Sequence, residues 1–315
     1  MESRIAVVFP AYNEEKAVAR TIRDFYQQLP QAHFYVVDNA STDQTAVVAK
    51  KEFESLGCAG HVMFEPRKGK GFAMRKAFHE IDADIYVMVD ADATYVAEDL
   101  PRLLEPVREG RADLVVGNRH ADNRYREQNH RPFHDFGNNL VKGLINLLFR
   151  THLKDIMSGY RVMSRLFVKN FPLMSPGFEI ETEMSLQAVD KRFRIEEFPI
   201  RYLKRMEGSF SKLSTFRDGW RVIKLIFLIF KDYRPLIFFG FLSFLFAATS
   251  LALGIPLIIE FMHTHLVPRF PTAILAMGLM TMGLMFFTVA LVLDTVVKLN
   301  REQFELRLLA WPDRR

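Results

Sequence analysis

Residues 84–95 read DIYVMVDADATY. The apolar run Ile85 to Val89 has the length of a fully buried strand, and it ends on two aspartates one residue apart. Asp is common in turns and at helix starts, so a plain turn accounts for the pair. Two carboxylates on one face also repel each other unless positive charge lies between them, and hard divalent cations prefer such oxygen donors. The rest of the chain has to decide.

Outward from this stretch the same pattern repeats. RIAVVF (4–9), HFYVVD (33–38), HVMFE (61–65) and DLVVG (113–117) are short apolar runs. Amphipathic stretches beginning at Glu14, Asp43, Gly69 and Glu98 separate them. The alternation predicts an α/β fold, with a mainly parallel sheet and helices on both faces. Ligands of such sheets sit beyond the carboxyl ends of the strands. The residues expected there are Pro10 to Glu14, Asp38-Asn39, the basic glycine loop Arg67 to Gly71, Asp90-Ala91-Asp92 and Gly117-Asn118-Arg119. Carboxylates, a basic loop and an arginine on one rim suit a nucleoside diphosphate with a metal. GKGFAM (69–74) is a poor dinucleotide fingerprint, because it follows the third strand and lacks the third glycine. Gly69 and Gly71 read equally as a strand-to-helix turn or as amides facing phosphate beside Lys68 or Lys70.

Further along, RHADNRYREQNHR (119–131) is basic and turn-rich, and Arg119 is placed by its strand to face the rim. GFEIETEM (177–184) sets Glu179, Glu181 and Glu183 at the start of a predicted helix, where acidic residues also favour the helix dipole. EGSFSKLSTFRDGWR (207–221) mixes hydroxyl residues such as Ser209 with Lys212 and Arg217, as a phosphate-binding loop would. The stretch around Trp220 to Phe230 is apolar on most of its circumference and reads as an interfacial helix.

The 315 residues carry a modest net charge of +5 with 49% hydrophobic content, but the average hides a split. Pro235–Ile259 and Phe270–Leu293 contain no charged residue, and each exceeds the roughly 20 residues a helix needs to cross a bilayer. Basic residues flank the pair at Arg217, Arg221, Lys224, Lys231 and Arg234, then at Lys298, Arg301, Arg307, Arg314 and Arg315, whereas the linker carries only Arg269. The positive-inside tendency therefore puts both ends in the cytoplasm. Ile5–Phe9 is too short for the core of a signal peptide. Cys58, the one cysteine, excludes an intrachain disulfide and a cysteine-rich zinc site. Basic charge gathered beside the spans suggests anionic lipid, not nucleic acid. The expected organisation is a catalytic domain over 1–215, an interfacial helix over 216–234, two spans within 235–297 and a tail over 298–315, in a multi-pass inner-membrane protein.

PAYNEE (10–15), VVDNASTDQT (36–45), DAD (90–92), VVGNR (115–119) and GSFSKL (208–213) together resemble the family 2 inverting glycosyltransferases, and more closely the polyprenyl-phosphate hexosyltransferases. The resemblance covers nearly the whole chain and implies a nucleotide-diphospho-sugar (GT-A type) fold. It implies a UDP- or GDP-linked sugar as donor, a polyprenyl phosphate as acceptor and Mg²⁺ or Mn²⁺ as cofactor, and leaves self-association open. Pro10, Tyr12, Glu14 and Asp38 would hold base and ribose, with Lys70 and Lys212 also toward the donor. Asp90 and Asp92 would hold ribose and metal–diphosphate. Arg119, with Arg131, Ser209 and Arg217, would take the acceptor phosphate, and Glu179 and Glu181 would orient sugar hydroxyls. Asp92, Arg119 and Glu181 are thus the expected catalytic set. Asn39 departs from a more usual second aspartate and Thr94 from a glutamine near the metal. A processive polysaccharide synthase would need more spans and a Gln-x-x-Arg-Trp motif; a non-catalytic sugar-nucleotide-binding subunit would have no need of the aspartate pair.

Overall fold

The structure is a computed structural model that describes residues 3–121, 132–177, 179–205, 224 and 227–311, without the side chains of 132–138. Arg131, Ser209, Lys212, Arg217 and most of the expected interfacial helix lie outside the described residues. Two compact units divide between Gly219 and Trp220.

The first unit is built on one seven-stranded sheet. All five strands expected from the apolar runs form: β1 (Ile5–Ala11), β2 (His33–Asp38), β3 (Gly60–Phe64), β4 (Ile85–Met88) and β5 (Leu114–Asn118). Between them run α1 (Val18–Gln28), α2 (Thr45–Leu56), α3 (Lys70–Glu80) and α4 (Leu100–Arg108). Helices cover both faces, so β1 and β4 are buried along nearly their whole length and read as continuous apolar runs rather than alternating ones. Phe9 of β1 packs edge-on against Phe25 of α1 at 5.7 Å and stacks with Phe34 of β2 at 6.4 Å, and all three are fully buried. These aromatic contacts fix the first helix over the sheet.

Beyond β5 follow α5 (Pro132–Phe149), β6 (Arg161–Ser164), α6 (Arg165–Lys169), α7 (Ile180–Asp190) and β7 (Ile195–Pro199). The strand order is β3-β2-β1-β4-β6-β5-β7. Every pairing is parallel except those of β6, which runs antiparallel between β4 and β5. Apolar periodicity misses β6 and β7 for different reasons. The four-residue β6 opens on a charged residue, Arg161, which is nonetheless fully buried. β7, IEEFP, is an edge strand with two glutamates.

The second unit contains α8 (Pro235–Thr264) and α9 (Phe270–Leu309), helices of 30 and 40 residues long and apolar enough to cross a membrane. They pack through small residues. Ser250 donates to the Ala276 carbonyl at 2.6 Å, and a Cβ on Gly283 would lie 3.2 Å from the Ser243 carbonyl oxygen. Arg269 pairs with Glu260 across the connection at 2.7 Å. Both helices outrun their charge-free segments, α9 by 16 residues. Residues 294–309 contain no Gly or Pro, and Asp294 supports Lys298 one turn on at 2.7 Å, so the helix continues after the apolar stretch ends.

Candidate active site

The carboxyl ends of β1, β2, β4 and β5 share one rim, and the turn leading into β6 joins them there. Two of the sequence motifs are a single piece of structure. Asn13, in the left-handed region at φ 54°, donates its N–H to Ser41 Oγ at 3.0 Å and accepts from the Thr42 N–H at 2.8 Å. The Glu14 N–H donates to Thr45 Oγ1 at 2.8 Å, and the Ser41 N–H to Asp38 at 3.1 Å. The loops after β1 and β2 are thereby laced together, which brings the Tyr12–Glu14 segment beside the segment that follows Asp38. The Tyr12 hydroxyl accepts from Lys68 at 3.3 Å.

Asn39 has a structural task. Its amide donates to the carbonyls of Glu65 (3.3 Å) and Arg67 (2.6 Å) and accepts from the Gly69 N–H at 2.7 Å. The Gly71 N–H meets the Pro176 carbonyl at 3.0 Å. Both glycine amides therefore serve the strand-to-helix turn, and φ +139° at Gly69 is a conformation that favours glycine. An aspartate at 39 would keep the acceptor but face two carbonyls with a charge. Asn39→Asp is expected to destabilise the domain by about 2 kcal/mol, as for a buried polar group left unpaired, which thermal unfolding would register.

Lys70 opens α3 and is 8% exposed. Its ammonium bonds both Asp90 and Glu181 rather than projecting toward open rim. Burial alone would lower the lysine's pKa, but the two carboxylates more than offset that and raise it. Glu181 is pushed up by burial, against the pull of Lys70, and its Oε2 is buried with no hydrogen-bond partner among the described residues. The three glutamates of GFEIETEM thus separate. Glu181 joins the site, Glu183 accepts the N–H groups of Met174 and Ser175, and Glu179 sits at the N-cap of α7.

Asp92 is buried and has partners on both oxygens. Oδ1 accepts the Thr94 hydroxyl at 2.6 Å and the Thr94 N–H at 3.2 Å, while Oδ2 meets Arg205 at 2.9 Å. Burial and the nearby Asp90 raise the Asp92 pKa against these partners. Thr94 thus orients Asp92. Asp90 packs against Gly159, where any side chain would collide with its carboxylate. The two aspartates tolerate each other here because each has its own cation, Lys70 or Arg205. Sequence reasoning missed Arg205, since nothing in its spacing marks a contact 113 residues from Asp92.

The pair fits a divalent cation chemically. It offers hard carboxylate oxygens at a place that already draws two positive side chains, beside the unpartnered Glu181 oxygen. No cluster of three or more acidic, histidine or cysteine residues suited to a metal occurs among the described residues, so water and diphosphate would have to complete its shell.

Arg119 is held by a buried carboxylate. Its planar fork is matched to Asp155, Nε to Oδ2 at 2.8 Å and Nη2 to Oδ1 at 2.9 Å, with its backbone N–H on the same carboxylate at 3.1 Å. Burial would raise the Asp155 pKa, but Arg119 overrides this and holds it down at about 2. This geometry makes Arg119 the anchor of the β5 end. Beneath it, Arg161 is fully buried on the Ser158 and Ile156 carbonyls and Ser185 Oγ, and burial lowers its pKa to about 10.

Residues 6–171 match the model of glycosyl transferase family 2. The chain belongs to that family. It is 30% identical over 302 residues to glycosyltransferase AglJ of Haloferax volcanii, covering 96% of each chain. It is also 30% identical over 223 residues to the undecaprenyl-phosphate mannosyltransferase of Micrococcus luteus, covering 67% of this chain and 88% of that one. Among solved structures, glucosyl-3-phosphoglycerate synthase of Mycobacterium tuberculosis, in complex with Mn²⁺, UDP and phosphoglyceric acid, superposes with a TM-score of 0.56 at 19% identity, over 73% of this chain and 78% of that one. At that identity the likeness concerns the fold, and it makes this family 2 enzyme GT-A-like, as the sequence resemblance implies.

Proposed function

We propose that this glycosyltransferase moves a hexose from a UDP- or GDP-linked sugar to a polyprenyl phosphate, undecaprenyl or dolichyl, with inversion. The reaction takes place at the cytoplasmic face of the membrane. The observation that carries the reading is the Asp90–Asp92 pair at the end of β4, in a chain that also has two apolar helices of membrane-spanning length. The undecaprenyl-phosphate specificity in the name of a 30% identical relative and the Mn²⁺–UDP complex of a fold neighbour support it. Residues 1–215 are then the catalytic part, 216–234 the interfacial segment, α8 and α9 a multi-pass anchor, and the segment from 298 a cytoplasmic tail that begins as helix.

A phosphate oxygen of the acceptor attacks the anomeric carbon as the bond to the donor diphosphate breaks, and the electron pair leaves with the nucleoside diphosphate. A phosphate monoester has its second pKa near about 6, so the nucleophile is ionised at neutral pH and the chain has no need of a general base. Asp90 and Asp92 would hold Mg²⁺ or Mn²⁺, which when bound offsets the charge of the leaving diphosphate. Tyr12, Glu14 and Asp38 hold the nucleoside, with Pro10 shaping that wall. Lys70 fixes the directions of Asp90 and Glu181, and Glu181, with Glu179 near it in sequence, orients sugar hydroxyls. Arg131, Ser209 and Arg217 are the candidates for contact with the acceptor phosphate, and Lys212 for contact with the donor.

Membranes containing the full chain, given labelled UDP-glucose, UDP-N-acetylglucosamine and GDP-mannose in turn, are expected to yield one acid-labile labelled lipid. Chelator should abolish the product, and added Mg²⁺ or Mn²⁺ should restore it. Label appearing only in polymer or free sugar would refute the acceptor assignment.

A further inference from the structure

Asp90 and Asp92 are held by cations of different character. Lys70 is buried between two carboxylates, on a helix. Arg205 lies in an irregular segment after β7, its side chain 35% exposed against 4% for Asp92. Of the two, Arg205 is the one able to move without opening the core. Asp92 is the largest favourable charge acting on it, with Glu14 and Asp90 contributing less.

We propose that Arg205 is the counter-ion Asp92 exchanges for the divalent cation, and that this exchange ties cation entry to nucleoside diphosphate entry. The inference rests on the cation site proposed above. A cation bound at Asp92 would place two positive charges beside a guanidinium now 2.9 Å from the same carboxylate, so the two compete. Without an anion nearby, Arg205 must give up its ion pair with Asp92 uncompensated by diphosphate, and the cation binds weakly. A diphosphate arriving with the cation offers the displaced guanidinium a new partner whose oxygens match its planar fork. The nucleotide then strengthens cation binding partly through Arg205, and by linkage the cation strengthens nucleotide binding by the same factor. Arg205 would thus disfavour the bare cation and favour the cation–nucleotide pair.

The test uses the purified full chain and Mn²⁺, with free Mn²⁺ followed by its paramagnetic resonance signal, alone and with UDP or GDP. Arg205→Gln is expected to bind Mn²⁺ alone about tenfold tighter than wild type, the effect of removing one nearby like charge at a partly exposed site. The strengthening by nucleotide should shrink by about the same factor. Arg205→Lys, which keeps the charge, should stay within about twofold of wild type. Adding Asp92→Asn to Arg205→Gln should erase the gain. Unchanged Mn²⁺ affinity in Arg205→Gln, or a nucleotide effect equal to that of wild type, overturns the exchange while leaving the cation site intact. Failure of the wild type to bind Mn²⁺ even with nucleotide removes the cation site itself, and the exchange with it.

Discussion

Asp92→Asn is expected to abolish sugar transfer while leaving the fold intact. Asparagine keeps the shape and can still accept the Thr94 hydroxyl and N–H that orient the carboxylate at 2.6 and 3.2 Å. What disappears is the charge, and with it the hard ligand proposed for the cation and an ion-pair partner of Arg205. Loss of one preorganised electrostatic contact in a transition state costs about two to three decades in rate, and loss of the cation that neutralises a leaving diphosphate should cost at least as much. Stability should move little, and the sign follows from the pKa. The folded Asp92 pKa is raised, first by burial and then by Asp90. A carboxylate of that kind is ionised at a cost in the folded state, so stability falls as pH rises from its unfolded pKa through its folded one. Asparagine removes that cost at neutral pH and offsets the lost Arg205 pair. The check is paired: lipid-linked sugar formed per minute, and the thermal midpoint of the same preparation. Wild-type transfer by Asp92→Asn would refute the catalytic assignment. A collapse in thermal stability would show that Asp92 matters chiefly as a buried ion-pair partner.

The first five strands were legible because sheet strands covered on both faces must be apolar throughout, and Ile5–Phe9 or Ile85–Val89 admit little else. The rim residues were legible for a related reason. A parallel sheet sends every carboxyl end to one edge, so Tyr12, Asp38, Asp90 and Arg119 could be placed together from strand order alone. Partners could not be. Lys70 read as a phosphate-facing lysine because its neighbours are glycines, yet the glycines exist to turn the chain past Pro176, and the turn drives Lys70 inward onto Asp90 and Glu181. Asn39 read only as a departure from a more usual aspartate, when the distinguishing property of an amide over a carboxylate, donation, is what the Glu65 and Arg67 carbonyls use. Arg205 and Asp155 gave no signal, since their contacts with Asp92 and Arg119 join segments far apart in sequence and depend on antiparallel β6 and edge strand β7, which periodicity does not reveal. The apolar runs of α8 and α9 were plain, but their helical ends were not, because a span is bounded by charge and a helix by breakers.

The Arg119–Asp155 pair should prove a keystone of the fold. Asp155→Ala is expected to destabilise the domain by about 3–5 kcal/mol, the usual cost of taking one partner from a buried ion pair. Asp155 has only 1% of its side chain exposed and Arg119 11%, and the carboxylate also accepts the Met157 N–H at 3.2 Å, so one residue ties the end of β5 to the turn before β6. Replacing both partners by apolar residues, as in Arg119→Met with Asp155→Leu, should recover a good part of the loss, because no charge is then left stranded. The pH dependence follows from the depressed Asp155 pKa of about 2. A carboxylate whose folded pKa lies below its unfolded value near about 3.9 adds stability that is complete above the unfolded value and is lost as pH falls toward the folded one. Nearly two pKa units amount to about 2–3 kcal/mol, most of which wild type should lose between about pH 4 and pH 2, and Asp155→Ala should show a flatter acid limb. Thermal midpoints across that range measure both effects. Arg119→Ala then separates the two roles available to this arginine. As an anchor, it should lower stability and transfer together; as a clamp on the acceptor phosphate, it would cripple transfer to lipid while the thermal midpoint held. The bidentate pair with a buried carboxylate makes the first outcome the expected one, and retention of wild-type stability by Arg119→Ala would overturn it.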